Sequence, residues 1–199
     1  MAEPRVSRGK AKAALQAMSR GKRDLGELTV WDIFPQGVGV QMRDPENDRE
    51  MVMSATAGLE QALEEAILPK LKLRPDADQM LFLDMAAPLL SDFYDKCRMA
   101  YLLGIVGKQT LHDLSIIRHV RNAFAHTRGY LDLDMPEFQN ILEHLTAPDR
   151  CLTPMMEPGW SSDMRERFIQ TCFHLLLYLA GSDKQNEAKQ WKGFDCFLR

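Results

Sequence analysis

The sequence predicts an all-α fold, a helical bundle of about six to eight helices preceded by an irregular N-terminal segment. Three observations carry this reading. Apolar residues recur at three- and four-residue intervals over long stretches from Arg49 onward. Proline and glycine separate those stretches as helix stops do. No stretch alternates apolar and polar residues convincingly enough for a half-buried strand. The 199 residues, 45% of them hydrophobic, are ample for one domain with its own core. The expected division is a basic, flexible arm over residues 1–23 and one α-helical domain over 24–199.

The elements follow in order. Ala11 to Met18 is rich in good helix formers and predicts a short helix. Leu28 to Gln41 carries Val30, Trp31, Ile33, Phe34, Val38 and Val40 but is broken by Pro35, Gly37 and Gly39, which predicts an irregular segment covering part of the core. Asp44 to Asp48 reads as a turn. An amphipathic helix then begins at Arg49, with Val52, Ala55, Leu59, Ala62, Leu63 and Ala66 on one side and Pro69 as its stop. A second is expected from Asp76 until Pro88 ends or interrupts it. A third starts near Ser91 and stops at Gly104 or Gly107. The fourth takes Thr110 as N-cap, with Asp113 three residues on in a near capping box. After Gly129, a helix has Pro136 in its first turn and Phe138, Ile141, Leu142 and Leu145 on its apolar side. A loop with Pro148, Pro154 and Pro158 precedes the last helix, which starts near Ser161 or Ser162 and ends at Gly181. Its second half is apolar nearly all round, as in a bundle centre or a subunit interface.

The bulk properties limit the function classes. The longest apolar run, Cys172 to Ala180, is interrupted by His174 and is far shorter than the roughly 20 residues a membrane span needs. The N-terminus lacks the apolar stretch of a secretory signal, so a cytoplasmic protein is expected. Cys97, Cys151, Cys172 and Cys196 are widely spaced, without a Cys-x-x-Cys pair or a nearby ligating His. All four are therefore expected to be reduced and non-catalytic, with no structural zinc and no cofactor. The formal charge of −3 conceals an asymmetry. Arg5, Arg8, Lys10, Lys12, Arg20, Lys22 and Arg23 stand against Glu3 alone in the arm, leaving 18 basic and 27 acidic residues in the remainder. Within the arm, Ser7-Arg8-Gly9-Lys10 recurs as Ser19-Arg20-Gly21-Lys22. Such an arm can bind nucleic acid in a salt-dependent way; the alternative, favoured here, is a solvated terminus attracted to the acidic body.

The segment Ile117-Arg118-His119-Val120-Arg121-Asn122-Ala123-Phe124-Ala125-His126 holds the chemistry. On a helix, Leu114, Ile117, Val120 and Phe124 share an apolar face, and Arg118, Asn122 and His126 form a polar ridge at four-residue spacing. Arg121 precedes His126 by five residues and projects about 140° away on a regular helix. Joint action on one phosphate therefore needs a bend, a frayed last turn or a second subunit. In metal-independent RNA cleavage, His126 would do acid-base work, Arg121 would stabilise phosphate charge and Asn122 would orient one of them. The structural alternative has Arg121 paired with a carboxylate, Asn122 satisfying backbone groups and His126 capping the last carbonyls. His112, His119 and His126 repeat every seven residues, about 10.5 Å along a helix, too far apart to share one metal ion.

Four blocks carry a family resemblance: Leu63-Glu64-Glu65-Ala66-Ile67, Ala87-Pro88-Leu89, Arg98-Met99-Ala100-Tyr101-Leu102-Leu103-Gly104-Ile105, and Asp113-Leu114 continuing through Ile117-Arg118-x-Val120-Arg121-Asn122-Ala123-Phe124-Ala125-His126. In order and spacing they resemble the mannitol operon repressor family of bacteria, over about a third of the chain. That resemblance implies an all-α regulator without a recognisable DNA-binding domain, whose partner is another regulatory protein. The Arg-Asn-x-x-x-His core is also similar to the signature of the HEPN superfamily, whose active members are metal-independent ribonucleases with the site at a dimer interface and whose other members are interaction modules. Three functional expectations result: a regulator working through protein contacts, a HEPN-type ribonuclease built by a homodimer, and nucleic-acid binding through the arm.

Overall fold

The computed structural model describes residues 47–71, 81–82, 89–151, 163–181 and 194–198. Among these residues there are five helices of seven residues or more and no strand: α1 (Asp48–Ile67), α2 (Phe93–Leu102), α3 (Lys108–His126), α4 (Pro136–Leu142) and α5 (Met164–Gly181). A single helical turn, Ala147–Arg150, two 3-10 turns, Leu68–Lys70 and Phe194–Leu198, and the helical pair Leu81 and Phe82 accompany them. None of the helices among the described residues is long and apolar enough to cross a membrane. The basic arm, the Ala11 to Met18 helix, the Leu28 to Gln41 segment, the first residues of the Asp44 turn, most of the helix from Asp76, Pro154, Pro158, Ser161 and Ser162 lie outside the described residues.

Helix α1 is the hub, packing against α5, α3 and α2. Its sequence explains this role, because Met51, Val52, Ala55, Leu59, Ala62, Leu63, Ala66 and Ile67 are all buried and cover more than a narrow stripe. The apolar side of α5, with Phe168, Cys172, Leu175, Leu176 and Leu179 buried, lies in the same core. Burial of polar groups along α1 is compensated. Thr56 Oγ1 donates back to the Val52 carbonyl at 2.8 Å, and the buried Lys96 of α2 pairs with Glu60 and Glu64.

Helix α2 starts where Asp92 Oδ1 accepts from the Asp95 N–H at 2.9 Å, a local N-cap. It ends in a left-handed glycine: Gly104 has φ +70°, and the Ile105 N–H returns to the Ala100 carbonyl at 2.9 Å. The resulting turn is short, so α2 and α3 form a hairpin. Helix α4 has Pro136 in its first turn, as its sequence suggests, and its Phe138 stacks on Phe124 of α3 at 4.9 Å.

Two expectations are corrected. Thr110 is not the N-cap of α3; the helix begins at Lys108, with Gly107 at the cap position. Thr110 Oγ1 instead donates to the Phe197 carbonyl at 2.8 Å, joined there by the Gly107 N–H at 2.8 Å. Asp113 does not complete a capping box either: it reaches across to the Ala147–Arg150 turn, accepting from the backbone N–H groups of Thr146 and Ala147. Asp113 thus caps a helical turn remote in sequence.

The cysteines also differ from the sequence expectation. Cys97 and Cys172 are free and buried, and burial pushes both thiols well above the usual range. Cys151 and Cys196, expected reduced, are joined as a disulfide with Cα atoms 5.3 Å apart. Wide spacing along the chain was uninformative because docking of Phe194–Leu198 onto the start of α3 brings position 196 to the end of the Ala147–Arg150 turn. The bridge closes a separation of 45 residues, so its loss should lower stability by about 2–4 kcal/mol. Urea unfolding of the oxidised protein, the reduced protein and Cys151→Ser measures this; identical midpoints for all three would show that the bridge is not formed.

Candidate functional site

Helix α3 is α-helical from Lys108 through His126, and the chain turns extended only at Thr127 (φ −82°, ψ 128°). Its apolar face is as read from sequence, with Leu114, Ile117, Val120 and Phe124 buried. The helix neither ends early nor frays at His126. Regular geometry therefore leaves the backbone positions of Arg121 and His126 about 140° apart around the axis.

Each motif side chain has its own place. Arg118 lies with its guanidinium 4.7 Å from the centre of the Tyr94 ring, a cation–π contact between α3 and α2. Arg98 of α2 approaches the same ring at 5.7 Å. Arg121 donates to Asn122 Oδ1 at 3.2 Å, and among the described residues it does not make the carboxylate pair of the structural alternative. His126 is exposed on the last turn of α3. The last carbonyls are not capped by His126; that role falls to Arg49 of α1, which donates to the carbonyls of Phe124, Thr127 (2.9 Å) and Gly129 (3.0 Å). A guanidinium suits the negative end of a helix and can serve several acceptors at once.

Because two of these three bonds are exposed to water, Arg49→Ala should cost only about 1–2 kcal/mol overall. Its local effect should be larger, with amide exchange accelerated at Phe124 to Thr127 and Arg49→Lys restoring part of the protection. Unchanged exchange there would mean that α3 does not depend on this cap.

The site's supporting residues were less legible than the motif. Tyr94 and Arg98 stand four residues apart on α2 and continue to Leu102, a spacing that leaves this ridge outside the core; that pattern was available in the sequence. The buried ion pair between Asp48 and Arg165 was not. Asp48 also accepts from the Leu133 N–H at 2.6 Å, and Arg165 reaches Asp134 at 2.7 Å. These bonds fix the chain between α3 and α4 against the starts of α1 and α5. Burial raises the Asp48 carboxyl to about 6, against the lowering influence of the Leu133 N–H and Arg165.

What α3 offers chemically is therefore a cationic surface shared with α2, and a separate exposed imidazole at its C-terminal end. The chain matches no known protein family, no curated protein and no solved structure.

Proposed function

We propose that the chain is a bacterial transcriptional regulator of the mannitol operon repressor type, acting through protein contacts and without a classical DNA-binding domain. The observation that supports this best is the continuity of α3 through His126, since a regular helix sets Arg121 and His126 about 140° apart around its axis. Arg118 and Arg121 engage Tyr94 and Asn122 in a standing surface, a use suited to recognition. The block resemblance supplies the regulatory role, and the acidic excess outside the arm disfavours a broad nucleic-acid face.

In this reading, deleting the gene raises transcription of the operon it regulates, and the purified chain gives no sequence-specific footprint on operator DNA without a partner. A clear footprint by the protein alone would overturn the protein-contact mechanism.

The ribonuclease reading needs Arg121 of one copy beside His126 of another, since the exposed His126 is the group left available for it. The apolar side of α5 is occupied by α1, so such a homodimer would form through the α2–α3 side. Single-stranded RNA should survive incubation with the protein in EDTA, equally for wild type and His126→Ala. Cleavage by wild type that is lost in both Arg121→Ala and His126→Ala would establish the enzyme and refute the regulator as a non-enzymatic module. For the arm, deletion of residues 1–23 should leave operon repression intact; loss of repression together with loss of DNA binding would make the arm the active part.

A further inference from the structure

We propose that the α2–α3 hairpin carries a docking surface for a short acidic segment of a partner protein, one that also contains apolar side chains. This rests on the regulatory reading and names the part of the molecule that makes the contact.

Three guanidiniums carry the argument. Arg98 and Arg118 approach one aromatic ring, at 5.7 and 4.7 Å from its centre, and Arg121 follows Arg118 by one helical turn. Among the described residues none of the three lies within ion-pair distance of a carboxylate. Lys96, Arg150, Arg165 and Arg167 all do. Outside its first 23 residues the chain has nine more acidic than basic side chains, 27 against 18, so carboxylates are in ample supply. Three neighbouring arginines without one are thus a concentrated positive surface on an acidic body. Arg98 and Arg118 both lie beside the Tyr94 ring, and a guanidinium in a cation–π contact keeps N–H groups with which to pair carboxylates.

The occupant must also satisfy an apolar neighbour. Leu102, one turn beyond Arg98 on the same ridge, is 72% exposed, and the adjacent Tyr101 is 41% exposed. A nucleic-acid backbone brings charge without apolar side chains, and a long polyanion is repelled by the rest of the body. A peptide of interspersed carboxylates and leucines meets both requirements: its charges pair with Arg98, Arg118 and Arg121, and its apolar side chains cover Leu102 and Tyr101.

The test uses the full chain and fluorescence anisotropy with four labelled probes: a short peptide of glutamate and leucine, the same peptide with glutamine for glutamate, the same with serine for leucine, and single-stranded RNA of similar length. The glutamate–leucine peptide should bind best. The double variant Arg98→Gln/Arg118→Gln should weaken it at least about tenfold, and Leu102→Ser several-fold, with far-ultraviolet circular dichroism unchanged. Arg118→Lys, which keeps the charge and loses the planar guanidinium, should fall between. No binding of the glutamate–leucine peptide, tighter binding of RNA, or equal affinity in the double variant each overturns the proposal. An operon reporter separates this from the parent reading. Repression retained by the double variant refutes the surface while the regulator stands; absence of repression by wild type refutes the regulator, and peptide binding then judges the surface alone.

Discussion

Replacing Asp113 by Ala should destabilise the protein by about 3–5 kcal/mol, the range for removing one partner from a buried ion pair. Asp113 is fully buried on α3. Its two oxygens accept from the Thr146 N–H at 2.7 Å, the Thr146 hydroxyl at 3.0 Å, the Ala147 N–H at 2.9 Å and Arg150 Nη2 at 2.8 Å. Arg150 spreads the same network outward, donating to Thr110 Oγ1 at 3.0 Å, to Thr146 Oγ1 at 3.0 Å and to the Cys196 carbonyl, with Phe197 beneath it. Without the carboxylate, two backbone N–H groups lose their acceptor and a largely buried guanidinium loses its counter-charge. The C-terminal turn Phe194–Leu198 should loosen with it, because Arg150 and Thr110 both hold that turn through its carbonyls. Urea denaturation gives the global loss, and amide exchange at Gly107, whose N–H bonds to the Phe197 carbonyl, gives the local one. Arg150→Met alone should also be strongly destabilising. In the double variant Asp113→Leu/Arg150→Met the losses should fall well short of additive, since neither charge is then left alone. Additive losses, or an Asp113→Ala effect below about 1 kcal/mol, would remove Asp113 from its place as the organiser of this end of the bundle.

These contacts show which parts of the molecule the sequence could announce. Periodicity is a local signal, so the helices around Val52 to Ala66 and Leu114 to Phe124 were legible with their buried faces, and Pro136 and Gly104 marked a start and a stop. Gly107 and Thr110 show the limit of local rules. A Thr-x-x-Asp pattern looks like a cap, yet both side chains are used by segments more than thirty residues away. The disulfide, the Asp48–Arg165 pair and the Arg49 cap are likewise set by tertiary approach, with no trace in spacing. At the candidate site, the regular helix and its apolar face were readable from the sequence, whereas the bond from Arg121 to Asn122 was not. Sharing of Tyr94 by Arg98 and Arg118 required knowing that α2 folds back on α3, which depends on the turn at Gly104 and not on the motif.

Acid titration should expose two buried groups that act in opposite directions. Asp48 has its pKa raised from 3.8 to about 6, chiefly by burial. Its protonated form is thus favoured in the folded state, and its contribution to stability grows as pH falls from above 6 toward 4. A rise of that size corresponds to about 2–3 kcal/mol across the window. His174 on α5 behaves the other way. Burial lowers its pKa below 6.5, opposed by a hydrogen bond with the Gln170 backbone, so the unfolded chain takes up the proton first and stability is lost as pH falls below 6.5. In the wild type the two slopes partly cancel, and single variants separate them. Asp48→Asn should be less stable than wild type by a margin that widens by about 2–3 kcal/mol between neutral pH and pH 4, because only the wild type gains from protonation. For His174→Gln the margin should instead narrow on acidification, because only the wild type loses. Asp134 and Asp132 near Asp48 add to its upward shift, so Asp134→Asn should reduce the widening while leaving its sign intact. The quantity to measure is the difference in urea unfolding free energy between each variant and wild type from pH 7 to pH 4. A margin for Asp48→Asn that shrinks on acidification would mean that the Arg165 pair outweighs burial, with the carboxyl held below its ordinary value in the folded protein.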